Sequence, residues 1–113
     1  MHRQELIDLV KLTTHSFEDY PFNTAHRQDK IIWTVMRQVT NQKIIALIFE
    51  KNDALMIDLK LTPDHGEIMR QRQGVYPGYH MNKTHWNTII VNDTDLSKTE
   101  LINMIKESDR LTS

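Results

Sequence analysis

The sequence predicts a two-layer α+β domain in which helices pack on one face of an antiparallel β-sheet. Segments near both ends of the chain have apolar residues at helical spacing, and residues 30–60 between them are rich in β-branched and aromatic side chains. Strands joined by short turns pair with their sequence neighbours, and helices on one face bury the apolar side of the sheet. The predicted order of elements is α-β-β-β-α-β-β-α.

Length and composition indicate one domain that spans residues 1–113. The chain is 39% hydrophobic and 26% charged, which is typical of a globular protein with one core. It contains no cysteine, which excludes disulfides, thiolate nucleophiles and cysteine-based metal sites. The apolar runs, such as Ile44–Phe49, are too short for a transmembrane helix, and the N-terminus lacks the apolar core of a signal peptide. We therefore expect a cytoplasmic protein with no membrane contact.

The N-terminal part of the chain begins with a helix. Residues 3–12 place apolar side chains on a broad helical stripe, formed by Leu6, Ile7, Leu9, Val10 and Leu12. Polar residues 13–16 then favour a helix end. The following segment, Phe17–Thr24, contains Pro21 and three aromatic residues, and we interpret it as a loop.

Three strands and two short turns follow. Residues 31–39 and 43–50 are rich in β-branched and apolar residues, and Asn41–Gln42 between them favours a turn. Residues 54–61 alternate apolar and polar after a second turn at residues 51–53. This alternation places Asp58 and Lys60 on the outward face. We expect Trp33 in the core.

The second half of the chain begins with a short helix. Thr62 suits the N-cap and Pro63 the first helical position, and Gly74 is a natural stop. Residues 75–81 and 85–92 are consistent with two further strands. The last helix opens with Ser97 and Glu100 in the spacing of a capping box, and apolar residues follow at helical spacing.

Charge is unevenly distributed. The whole chain carries 14 basic and 15 acidic residues, a net charge of −1, whereas many nucleic-acid-binding domains have a clear basic excess. No acidic residue lies between Glu67 and Asp93, and this window contains Arg70, Arg72 and Lys83. The window therefore has a charge of +3 with its histidines neutral.

The functional signal is concentrated in residues 74–87. Pro77–Gly78 has turn chemistry, and Tyr76, Tyr79 and Trp86 flank it. Residues 82–85 supply hydrogen-bond donors and acceptors. Aromatic faces combined with amide and ammonium groups can stack on bases and contact phosphates, and they are equally able to hold a small anion or a carboxylate of a partner.

This stretch, Gly-Val-x-Pro-Gly-Tyr-His-Met-Asn-Lys-x-His-Trp-Asn, closely resembles the signature of the MmcQ/YjbR-like family of small bacterial proteins. The N-terminal helix, the predicted strands up to Leu61 and the segment Ile105–Ser108 are also similar to that family. The resemblance implies an antiparallel sheet covered by helices, described as a double-wing or CyaY-like fold, which is also related to secretion-chaperone-like folds. It further implies DNA binding, a function assigned across the family by analogy of fold.

The candidate binding residues belong to this basic and aromatic region: Lys83, His80, Asn82, His85, Tyr79, Trp86, Arg70 and Arg72. Each has a structural alternative. Tyr79 and Trp86 suit core or rim packing, and Asn82 suits a turn that satisfies backbone groups. The two arginines either extend a positive surface toward Lys83 or complement the dipole of the preceding helix.

No catalytic residue, metal site or cofactor is predicted. The sequence lacks a Gly-x-Ser-x-Gly elbow, a phosphate-binding glycine loop and a dinucleotide fingerprint. His80 and His85 are five residues apart, which is not a helical metal-binding pair. We therefore expect a protein that is not an enzyme.

Three binding functions remain open from the sequence. The first is DNA binding through the locally basic, aromatic surface of residues 70–87. The second is an adaptor that binds another protein or a peptide, for example by strand addition. The third is a pocket for a small anion or metabolite at the same motif. The oligomeric state does not follow from the sequence.

Overall fold

The computed structural model describes residues 1–23, 31–79 and 81–113 of the chain. Within these ranges the elements are α1 (Arg3–Thr13), β1 (Ser16–Asp19), β2 (Thr34–Gln38), β3 (Ile44–Lys51), β4 (Ala54–Lys60), α2 (Pro63–Met69), β5 (Val75–Pro77), β6 (Trp86–Ile90) and α3 (Lys98–Thr112). None of these described helices has the length and apolar character needed to cross a membrane.

The strands form one antiparallel sheet in the order β1-β2-β3-β4-β6-β5. Helices α1 and α3 pack together against β3, and α3 also packs against β4. Met69 of α2 joins the same core, so the helices share one face of the sheet. The predicted two-layer α+β architecture is confirmed.

The strand β1 is an element that the sequence did not predict. Ser16–Asp19 pairs with β2 from Ser16 opposite Gln38 to Asp19 opposite Val35, so the loop predicted from Phe17 onward is wrong for Phe17–Asp19. An edge strand with three polar residues out of four lacks the apolar alternation that identifies a half-buried strand. Pairing with β2 determines its conformation instead.

The strand predicted for residues 75–81 is shorter than expected. β5 ends at Pro77, which has no backbone N–H to donate. The N–H of Gly78 still donates to Trp86 O at 2.8 Å. The chain then departs from the edge of the sheet instead of continuing along β6.

The main core lies between the sheet and the helices. Its largest fully buried side chains include Leu6 and Ile7 of α1, Ile57 and Leu59 of β4, and Ile105 of α3. Caps fix the helix ends, since Ser97 and Glu100 form the predicted capping box at α3, and His2 with Glu5 forms one at α1.

Ser108 of α3 anchors this helix to the sheet. Its hydroxyl donates to Ile45 O at 2.6 Å and accepts from Lys60 N at 2.9 Å, so one buried side chain joins α3 to β3 and β4.

A second hydrophobic cluster occupies the face of the sheet without helices, which we call the open face. Trp33, Val35, Leu47 and Phe49 are buried there, as expected for Trp33. The Trp33 and Phe49 ring centroids are 4.5 Å apart, and Tyr79 stacks on Phe49 at 5.9 Å. This cluster needs a cover that the helices do not provide.

Candidate functional site

Part of the sequence motif covers the open face of the sheet. We call Tyr79 together with residues 81–85 the cover segment. Tyr79 and Met81 pack against the second cluster, and the Tyr79 N–H donates to Thr88 Oγ1 at 2.8 Å. The aromatic motif that appeared functional in the sequence therefore also completes a core.

A turn at Asn82 returns the chain to β6. Its side-chain oxygen accepts from Thr84 N at 2.9 Å, and its backbone oxygen accepts from Trp86 N at 2.9 Å. These are the local hydrogen bonds to the backbone that are expected if Asn82 has a structural role in the turn. Its exposure still leaves the amide accessible beside Lys83, which is also exposed.

Beneath the open face lies a buried carboxylate, Asp58. It is on the outward face of β4 as predicted, yet its exposure is 0%. Thr88 donates a hydrogen bond to Asp58 Oδ1, while Oδ2 is buried with no hydrogen-bond partner among the described residues. Burial raises the pKa of Asp58 to about 7, although the Thr88 hydrogen bond and the charge of Lys83 act in the opposite direction.

The sequence pattern does not indicate the burial of Asp58, because alternation alone cannot tell an exposed face from a covered one. A signal was nevertheless present. Aspartate is depleted in strands, and this one interrupts a strand that is otherwise largely apolar.

A cleft of about 270 Å³ adjoins the cover segment on the open side of the sheet, and we call it the tyrosine cleft. It is lined by Lys51, Asn52, Met56, Tyr76, Pro77, Tyr79, Thr88 and Ile90. Tyr76 is 52% exposed, and Lys51 Nζ lies 3.8 Å from the centroid of the Tyr79 ring. The cleft therefore combines two aromatic side chains with an ammonium group.

Arg72 does not contribute a free charge to this side of the domain. Its guanidinium bonds Glu100 at 2.8 Å and Asp95 at 3.2 Å, near the start of α3. The hydrogen bonds from Arg72 lower the pKa of Glu100 to about 2. Arg72 is thus neutralised by two acidic residues that are distant in sequence.

Arg70 also faces the helix layer. It donates to the side chain of Asn87, which alternates with Thr88 and so lies on the opposite face of β6 from the open face. Both arginines of the basic window are therefore hydrogen-bonded to side chains on the helix side of the sheet. The continuous positive surface that would extend from them toward Lys83 stays a prediction.

The remaining predicted site residues have different environments. Trp86 is 9% exposed, and His85 is half-buried. The backbone oxygen of His85 accepts from Leu61 N at 2.8 Å. The prediction for His80 lies outside the described residues.

The described residues include no group of three or more histidine, aspartate or glutamate side chains placed to hold a metal ion. What the geometry does offer is an aromatic cleft with a nearby ammonium group, beside a buried carboxylate.

Comparison with known proteins identifies relatives along nearly the whole chain. The YjbR family model matches residues 13–111. The chain is 28% identical to the uncharacterised Bacillus subtilis protein YyaQ, over 97% of each chain. It is 25% identical to the uncharacterised Escherichia coli protein YjbR, over 69% of this chain and 75% of that protein.

Solved structures share the fold. A Pseudomonas syringae protein is 32% identical, with a TM-score of 0.83 and complete coverage of both chains. The Deinococcus radiodurans protein DR2400, a DUF419 domain, is 27% identical with a TM-score of 0.70, and the match covers 96% of this chain and 75% of that one.

Proposed function

The chain belongs to the YjbR family, and we propose that it is a non-enzymatic domain that binds the unpaired nucleotides of single-stranded nucleic acid in the tyrosine cleft. The observation that carries this proposal is the presence of exposed Tyr76 and the Tyr79–Lys51 contact in one cleft. Aromatic rings stack on bases of any sequence, and a neighbouring lysine attracts phosphate.

The dimensions of the tyrosine cleft support a small occupant. Its volume of about 270 Å³ is slightly below the roughly 300–1,000 Å³ of pockets that enclose drug-sized ligands. A single base with part of its sugar suits this volume better than a larger molecule. The wall formed by Met56, Pro77 and Ile90 is apolar, as a stacked base requires.

The charge distribution supports contact with few phosphates. Arg70 and Arg72 are hydrogen-bonded on the helix side, whereas Lys51 lines the cleft and Lys83 is exposed on the cover segment. Each phosphate contact to a single strand contributes a slope of about −0.7 in log affinity against log salt. We therefore expect modest affinity with a shallow salt dependence.

Fluorescence anisotropy with labelled oligonucleotides tests the proposal. A single-stranded thymidine oligomer should bind and the matched duplex should bind less tightly. Removal of a stacking ring by Tyr76→Ala should weaken binding about ten-fold, because stacking contributes about 1–3 kcal/mol per base. Tyr76→Phe keeps the ring and should retain the affinity.

Matched controls come from the other parts of the chain. Tyr20, which is 43% exposed beyond β1, provides Tyr20→Ala as the control for an exposed tyrosine. Lys106 is exposed on α3, and Lys106→Gln controls for the charge removed by Lys51→Gln. The proposal fails if no oligomer binds at about 50 mM salt, or if Tyr76→Ala and Tyr20→Ala weaken binding equally.

Free nucleotides provide a second arm of the same experiment. A mononucleotide that displaces the labelled strand at a concentration close to the Kd of the strand would identify the free metabolite as the occupant. Displacement that requires a large excess would identify the polymer.

A second candidate function is strand addition by a peptide at β1. This strand is an edge of the described sheet, and exposed aromatic side chains lie on it and just after it: Phe17, Tyr20 and Phe22. The opposite edge, β5, is short and ends at Pro77, which cannot donate a backbone hydrogen bond. Edge strands with available backbone groups accept extended peptides.

Selection from a random peptide library tests this second candidate. Peptides that bind by pairing with β1 should no longer bind the Phe17→Lys variant, because this substitution places a charge on the edge strand. They should be retained with Tyr76→Ala, which alters the other end of the sheet. Selected peptides that bind both variants equally would remove the candidate.

A further inference from the structure

A second cleft lies next to the tyrosine cleft, on the other side of the β3–β4 turn. We call it the turn cleft, and its lining includes Arg3, Ile32, Glu50, Lys51, Asn52 and Asp53. Its volume is about 540 Å³. Lys51 and Asn52 line both clefts. The two clefts therefore share one wall, and a ligand that fills one reaches the boundary of the other.

The turn that separates the clefts is short. The backbone φ angles of Asn52 and Asp53 are 52° and 62°. These are the left-handed values that a two-residue hairpin turn of type I′ requires at both central positions. Strand β3 ends at Lys51 and β4 begins at Ala54, so these two residues make up the whole connection. The boundary between the clefts is therefore only the tip of a tight hairpin.

Both clefts lie at the same end of the sheet. Strands β3 and β6 end there, and β2, β4 and β5 begin there, because neighbouring strands are antiparallel. The tyrosine cleft adjoins β4, β6 and β5, and the turn cleft adjoins β3 and the residues before β2. Four interstrand spacings separate β2 from β5. At about 4.8 Å each they span about 19 Å, which is the length of about five stacked nucleotides.

The charged side chains of the turn cleft largely neutralise one another. Arg3 donates to Glu50 Oε1 at 3.2 Å and to Ile32 O at 2.8 Å, so its guanidinium is held against the wall. Lys51 and Asp53, the other charged residues of the lining, have opposite signs. We therefore expect the turn cleft to attract phosphate only through Lys51, which already belongs to the tyrosine cleft.

Ile32 gives the turn cleft an exposed apolar surface. It is 57% exposed although its side chain is large and apolar. The hydrogen bond from Arg3 to its carbonyl oxygen fixes the backbone at this position. A base or sugar that packs on this side chain removes apolar surface from water, and salt screens charges without screening this contact.

We propose that a single strand bound in the tyrosine cleft continues across the β3–β4 turn and packs its neighbouring nucleotides on Ile32 in the turn cleft. This inference rests on the proposed function and specifies its ligand as a run of several unpaired nucleotides. The tyrosine cleft supplies stacking and charge, and the turn cleft supplies apolar contact without net charge. Lengthening the strand should therefore change the slope of log affinity against log salt by less than the value of about 0.7 for one phosphate contact.

A length series of thymidine oligomers tests this inference by displacement of a labelled strand in anisotropy measurements. A site for one nucleotide gives an affinity that rises only in proportion to the number of nucleotides, because each nucleotide is an equal position for binding. In the wild type the affinity should rise more steeply than this up to about five nucleotides, and in simple proportion beyond.

Ile32→Ala should remove the steep part of this length dependence. We expect the affinity of the longer oligomers to fall by about five-fold, equivalent to about 1 kcal/mol, while that of the mononucleotide is unchanged. Ile68→Ala is the matched control, because Ile68 is 63% exposed and lies on α2, and it should have no effect at any length. Tyr76→Ala should lower the affinity at every length, since its ring belongs to the tyrosine cleft.

The outcomes separate this inference from the proposed function. If oligomers bind but affinity is strictly proportional to length, or if Ile32→Ala and Ile68→Ala have equal effects, the continuation into the turn cleft is wrong and the proposed function stands. An equal loss for Ile32→Ala at every length would also contradict the continuation. Absence of binding by every oligomer would remove the proposed function and this inference with it.

Discussion

Thr88 on β6 lies directly opposite Asp58 on β4 and donates its hydroxyl proton to Asp58 Oδ1. The pair joins two neighbouring strands on the open face, and the Tyr79 N–H completes the arrangement by donating to Thr88. The sequence predicts Asp58 only as a residue of the outward face, whereas the structure shows that its carboxylate is fully buried.

The pH dependence of stability is the first prediction. The folded pKa of Asp58, about 7, is above its ordinary value of 3.8, so the folded state holds an extra proton between these values. This contribution is complete below pH 3.8 and is lost as the pH rises toward 7, with a slope approaching about 1.4 kcal/mol per pH unit.

Urea unfolding across this pH range checks the prediction by comparing the wild type with Asp58→Asn. As the pH rises, the free energy of unfolding of the wild type should fall relative to that of Asp58→Asn. Asp53→Asn is the matched control because Asp53 is exposed in the β3–β4 turn. A difference that is the same at every pH would contradict the buried-carboxylate interpretation.

Replacement of Thr88 should be more damaging than its size suggests. Thr88→Val preserves shape but leaves the Tyr79 N–H and Asp58 Oδ1 without their shared partner. Leaving a buried polar group unsatisfied costs about 1–3 kcal/mol, and we expect a loss in this range by urea unfolding. Thr88→Ser keeps the hydroxyl and should lose less, so equal losses would show that packing dominates.

Gly78 should be intolerant of even a methyl group. A Cβ at this position would lie 2.8 Å from both Trp86 Cβ and Trp86 O, and the backbone of β6 cannot move away easily. Gly78→Ala should therefore lower the unfolding free energy by about 1–3 kcal/mol.

Gly66→Ala is the control for Gly78→Ala in the same urea unfolding series. The atoms that meet its Cβ belong to the side chains of Arg70 and Asn87. Alanine is also preferred to glycine within a helix by about 1 kcal/mol. A loss for Gly66→Ala as large as that for Gly78→Ala would contradict the contact with β6 as the cause.

Arg72 should be unimportant for nucleic-acid binding despite its place in the basic window. Its guanidinium is held by Asp95 and Glu100, so phosphate would have to displace both carboxylates. Anisotropy measurements should give Arg72→Gln an affinity within about two-fold of the wild type, whereas Lys51→Gln lowers the salt slope by about 0.7. A larger loss of affinity for Arg72→Gln than for Lys51→Gln would support the positive surface predicted from the sequence.

Local sequence patterns were sufficient for most of the fold. The alternation of residues 54–61, the cap formed by Thr62 and Pro63, and the capping box at Ser97 each depend on neighbours within a few residues. The strand β1 was missed because its conformation depends on pairing with β2, which is distant in sequence, instead of on its own apolar pattern.

The sequence by itself determined the α+β class, the position of the aromatic motif and the resemblance that this motif carries. Only the tertiary structure decided which charges near the motif are accessible and which parts of the sheet surface are buried. Arg72 is bound by acidic residues more than 20 positions away, and Asp58 on the outward face of β4 is fully buried in the folded domain. Burial and charge pairing arise from contacts between residues distant in the chain, and no local spacing records them.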